Sequence, residues 1–131
     1  MKPALANILI ILAGVLASGL VVALVEGLGM SVFPVPVEVM QNQEDLAQIP
    51  LGAKLSVVVA WVVGSFAGGC VTALLHGRRA QARVVGIIML ALVLSMLMTI
   101  PHPLWMSVSG LVLPLPAALV GGRMCRRTGS D

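Results

Sequence analysis

The chain has 131 residues, 59% of them hydrophobic and 10% charged, with a mean hydropathy of +1.07. That balance lies far outside soluble globular composition and points to an integral membrane protein of a single domain. The formal charge of +3 comes with no Tyr and only two Phe, so there is no stacking platform for bases and no case for a nucleic-acid partner.

Four apolar blocks are predicted to cross the bilayer, at about 5–25, 55–75, 84–100 and 104–121. At 1.5 Å rise per residue, roughly 17–21 residues cover a hydrocarbon core about 30 Å thick. None of the blocks contains Lys, Arg, Asp or Glu. Backbone polar groups in lipid must be satisfied within the segment, so the expected fold is all-α, a bundle of four transmembrane helices.

The first block follows Lys2 and contains "ASG" at 17–19. Its length exceeds the core of a secretory signal, so it is read as an uncleaved helix. It is expected to end near Glu26, where Gly27, Gly29, Pro34 and Pro36 oppose helix. The connection at 26–53 is the only one long enough to act as a lid. Within it, Asn42 followed by Asp45 predicts a short helix to about Gln48, before Pro50. Val39, Met40, Leu46 and Ile49 would lay that helix on the membrane surface or across the bundle mouth.

In the second block Ala60, Gly64, Gly68, Thr72 and His76 recur every four residues, widened by Ser65 and Gly69. Small residues at this spacing let another helix approach closely, because association in lipid rests on van der Waals contact. A narrow path lined by Gly and Ser is the alternative reading. The first block carries a weaker version in Gly14, Ser18, Gly19 and Ala23. A turn at 76–83 leads to the third block and a turn at 101–103 to the fourth. There Pro114 and Pro116 remove the donors for the carbonyls of Gly110 and Val112, giving either a plain kink or a pair of ion-holding carbonyls.

On this threading Lys2, Arg78, Arg79, Arg83, Arg123, Arg126 and Arg127 share one side and Lys54 alone lies on the other. That bias predicts an inner-membrane protein with both termini cytoplasmic, the tail at 122–131 included, and the connection at 26–53 periplasmic. Cys70 then lies within the second helix and Cys125 in the tail, so both are expected to be unpaired thiols. Two thiols are no metal motif. His76, beside Arg78 and Arg79, suits a headgroup-facing role.

The segment "TIPHPLW" (99–105) places His102 between prolines, with extended backbone imposed by Pro103. Pro103 also fits the first turn of the next helix. Glu26, His102, Trp61 and Trp105 are expected in one layer near the outer interface. Either they are interfacial anchors and a solvated acid, or they form a ligand pocket with Glu26 and His102 as its polar pair. No catalytic set, phosphate loop, metal cluster or cofactor motif appears, so the chain is read as a non-enzyme.

Through "IPLGAKL" (49–55), "WVVGSFAGG" (61–69) and "IPHPLW" (100–105) the chain resembles small four-pass bacterial inner-membrane proteins. The resemblance implies fold and location, and no activity. The leading expectation is a protein that binds a small or lipid-like ligand, or a partner helix, near the periplasmic interface. The alternatives are a small transporter or channel component using the Pro-broken fourth helix, and a structural subunit of a membrane complex. Expected partners are membrane lipids and a second copy or another membrane protein.

Overall fold

The computed structural model describes residues 2–41, 48–75 and 78–126. Its elements are α1 (Pro3–Val32), α2 (Val37–Gln41), α3 (Leu51–Leu74), α4 (Arg79–Thr99), α5 (Leu104–Val112) and α6 (Pro114–Met124). No strand occurs among the described residues. α1, α3, α4 and the combined α5–α6 are each long and apolar enough to cross a membrane. Leu12, Leu16, Leu20, Leu24 and Leu28 of α1 all point outward, as a lipid-facing row at helical spacing would.

α1 does not stop near Glu26. It continues through Gly27 and Gly29 to Val32, which places Glu26 inside a helix rather than at the start of a loop. A glycine costs a helix about 1 kcal/mol relative to alanine, but Gly29 is buried, and Ser56 of α3 occupies the space its side chain would take. Pro34 sets the real end, since the residue before a proline is driven from helical geometry. Phe33 accordingly has φ −123° and ψ 74°, while its N–H still reaches the Gly29 carbonyl at 2.8 Å. Its ring then lies over Gly52, where a Cβ would come within 2.7 Å of Cδ1. The loop is thus folded back onto the start of α3. The short helix seen in this connection begins directly after Pro36, at Val37. The helix expected over 42–48 falls largely outside the described residues.

α3 is the centre of the bundle. In its most apolar window 44% of residues are buried, against 11% for α1, and its main contacts are with α1 on one side and α6 on another. The antiparallel α1–α3 seam keeps a four-residue register. Gly14 meets Thr72 and the Gly68 carbonyl, Ser18 meets Gly68, and Val22 meets Gly64. Ala60, Gly64, Gly68 and Thr72 are all buried. Here the four-residue stripe works within one chain.

α3 and α6 run parallel and cross at two glycines. A Cβ on Gly69 would overlap the Ala118 carbonyl, and one on Gly121 would overlap the Phe66 carbonyl. α4 closes the bundle with Val85 fully buried and Met89 and Val93 nearly so. At its start Gln81 accepts the Arg78 N–H through Oε1 at 2.5 Å and donates through Nε2 to Asn7 Oδ1 of α1 at 2.9 Å.

Cys70 and Cys125 are not separate thiols. They form a disulfide, with Cα atoms 5.1 Å apart. The expectation failed because Cys125 is the C-cap of α6 rather than part of a loose tail, and Cys70 lies about one turn before the end of the parallel α3. Alternating threading brings those two helix ends to the same level.

Ser18 Oγ and Ser65 Oγ are fully buried without a hydrogen-bond partner among the described residues. Their small size suits the helix seams, whereas an unpaired buried hydroxyl is unfavourable. Ser65→Ala is therefore expected to raise stability by about 1 kcal/mol. Reversible unfolding in mixed micelles checks this, and a loss of stability would mean the hydroxyl has an unrecognised partner.

Candidate functional site

At the end of the bundle carrying α2, the ends of α1 and α4 and the starts of α3 and α5 surround a cavity of about 440 Å³. Glu26 of α1, Lys54 and Ser56 of α3 and His102 of the α4–α5 turn supply its polar groups. Met30, Val57, Met96 and Met106 give it apolar walls, and Val35, Gln41 and Ile49 of the connecting segment cover part of it. Methionine-lined walls adapt to ligands of irregular shape.

The turn fixes His102 from both sides. Pro101 ends α4, and Pro103, with φ −59° and ψ 150°, is the N-cap of α5. The imidazole Nδ1 lies 2.6 Å from the Ile100 carbonyl. A carbonyl only accepts, so Nδ1 carries the hydrogen, and in the neutral ring Nε2 is left as an acceptor. The ring also stands against Trp61, with centroids 6.3 Å apart and planes at 56°, a tilted arrangement typical of ring pairs.

Trp61 is buried inside the bundle rather than presented outward as an anchor. It is 3% exposed and packs with Val58, Val93 and Met106. Ten residues of helical rise put it about 15 Å below the start of α3. Gly110 makes room for the indole, since a Cβ there would lie 2.7 Å from Trp61 Cζ3. Trp105 is 38% exposed and does not line the cavity. The structure thus brings Glu26 and His102 to one cavity, supports His102 on Trp61, and leaves Trp105 outside.

Lys54 was legible only as a topological charge. Its position three residues into a span, opposite the end of the first, is the signal that sets it at the same end of the bundle as Glu26. No ion pair is made by either residue among the described residues. Nor do three His, Cys, Asp or Glu side chains converge anywhere among the described residues. The cavity's ionisable groups among the described residues are one acid, one ammonium and one imidazole.

The fourth span is interrupted at Leu113, between α5 and α6. Pro114 is buried and Pro116 faces outward. The Leu113 N–H reaches Ser109 at 3.0 Å and the Leu113 carbonyl accepts from Ala117 at 3.1 Å, so the helix kinks without opening. Neither Pro114 nor Pro116 lines the cavity. His76 lies outside the described residues.

No protein-family model matches this chain, and neither a curated protein nor a solved structure matches it.

Proposed function

We propose that this protein binds a small or lipid-like ligand in the cavity formed by Glu26, Lys54 and His102. The observation that carries the reading is that an acid, an amine and an imidazole from three different helices or turns converge on one largely apolar cavity. Ligand sites combine apolar walls with a few placed polar groups in this way, and ionisable side chains near or within spans mark function more often than packing. The role is binding rather than catalysis. In this reading the chain is an inner-membrane protein, the basic ends of α4 and α6 face the cytoplasm and the cavity opens to the periplasm, so Cys70 and Cys125 meet toward the reducing side and their bond forms on oxidation of the protein.

Native mass spectrometry from nanodiscs tests the proposal. The wild type is expected to carry an adduct of defined mass that is lost in Glu26→Gln/His102→Ala while the protein stays folded. A bare wild-type chain, or the same adduct in both forms, would sink it. The transporter alternative has less support, because neither proline of the kinked fourth span lines the cavity that holds the ionisable groups.

A further inference from the structure

Glu26 lines a second cavity besides the first. A groove of about 450 Å³ runs along the seam between α1 and α4, with Trp61 at its back. Its α1 wall extends from Val15 to Glu26, and its α4 wall includes Met89, Val93 and Met96. Leu16, Leu20 and Leu92 on its rim are exposed, so it opens sideways. Glu26 and Met96 belong to both cavities, which therefore meet.

Three features specify an occupant. The groove spans about 15 Å along α1, the hydrocarbon depth of one leaflet, and apart from Glu26 at its upper end it is lined by apolar residues and Gly19. The cavity above it holds an acid and an ammonium that do not pair with each other. In the neutral ring the remaining nitrogen of His102 is an acceptor. A ligand with a primary ammonium can donate to both Glu26 and His102, whereas a quaternary ammonium can donate to neither. Its phosphate suits Lys54.

Resting on the binding role assigned above, we propose that the two cavities form one site for a zwitterionic phospholipid with a primary-amine headgroup, taken sideways from the surrounding leaflet. The headgroup occupies the mouth and one acyl chain lies between α1 and α4.

Gly19 gives a clean probe. Nothing lies within 4 Å of where its Cβ would be, so Gly19→Leu fills the groove without forcing the helices apart. Gly27→Leu adds the same side chain to the same helix, also into open space but outside both cavities. In a Trp105→Phe background Trp61 is the sole tryptophan. The protein is placed in phosphatidylglycerol nanodiscs containing increasing fractions of phosphatidylethanolamine with brominated chains. Quenching of Trp61 is expected to saturate, with half-quenching at about fivefold lower mole fraction than for brominated phosphatidylcholine or phosphatidylglycerol. Gly19→Leu is expected to abolish the saturable phase, Gly27→Leu to retain it, and Glu26→Gln to remove the headgroup preference.

Quenching that rises in proportion to mole fraction and equally for all three headgroups overturns the lipid assignment. An adduct in native spectra that depends on Glu26 and His102 but is unchanged by Gly19→Leu also overturns it, while leaving the binding role of the mouth intact. No adduct together with unsaturable quenching overturns both.

Discussion

Gly69→Ala and Gly121→Ala are each expected to lower the stability of the purified protein by about 3 kcal/mol, the upper part of the range for overpacking a tight contact. At most positions in a bundle an added methyl displaces the end of a side chain. At these two it meets backbone, the Ala118 carbonyl in one case and the Phe66 carbonyl in the other. The α3–α6 crossing can accept it only by separating the two helices, and close approach is what holds helices together in lipid. The same substitution at Gly19 or Gly27, where nothing lies within 4 Å, is expected to be neutral or to stabilise by up to about 1 kcal/mol through helix propensity. Reversible unfolding of all four variants in mixed micelles makes the comparison. Equal effects at Gly69 and Gly19 would show that the crossing is not close.

The second large effect concerns Cys70 and Cys125. Their bond closes a loop across a sequence separation of 55 residues, for which the chain-entropy relation gives about 4 kcal/mol as a ceiling. The unfolded reference of a membrane protein keeps its helices and their threading, so less freedom remains for the bond to remove. Cys70→Ser/Cys125→Ser is expected to cost about 2 kcal/mol. Wild type under reducing conditions should match the double variant, and intact mass under non-reducing conditions should show the chain two hydrogens lighter than the dithiol. A double variant as stable as oxidised wild type would show that the crossing glycines hold α3 and α6 together unaided.

Much of the architecture was legible because it follows from bilayer thickness. Apolar runs, the absence of charge within them and the two proline-rich turns give four helices with little room for another answer. The packing stripe was legible as a stripe, but not its partner. Nothing in Ala60, Gly64, Gly68 and Thr72 says whether the facing helix belongs to the same chain, and that required the matching register of Gly14, Ser18 and Val22. Helix ends were harder. Gly27 and Gly29 weaken a helix locally, but burial of Gly29 against Ser56 is a tertiary contact with no local signature. The disulfide was hidden for a related reason, since it depends on where α6 stops.

For the site, Glu26 and His102 stood out as polar groups at the edge of apolar runs. Trp61 read equally as an interfacial anchor or as a pocket wall, because an indole near the start of a span can serve as either. Its burial depends on the space left by Gly110 on a helix some fifty residues further along the chain. Lys54 looked like a single unfavourable charge for topology until the fold set it beside the same cavity as Glu26.

The uneven packing of α3 has a consequence for how the bundle is assembled. Its most extensive seam joins it to α1, the span immediately before it in the chain, so a complete glycine-registered hairpin exists as soon as these two helices are both in the membrane. α6, arriving last, must find the crossing surface of α3 unoccupied. Until then Gly69 and Cys70 present a bare groove to the bilayer. That groove is the place where another helix bearing small residues would compete with the chain's own, so faulty insertion of the last span is expected to trap the protein as an associating three-span form.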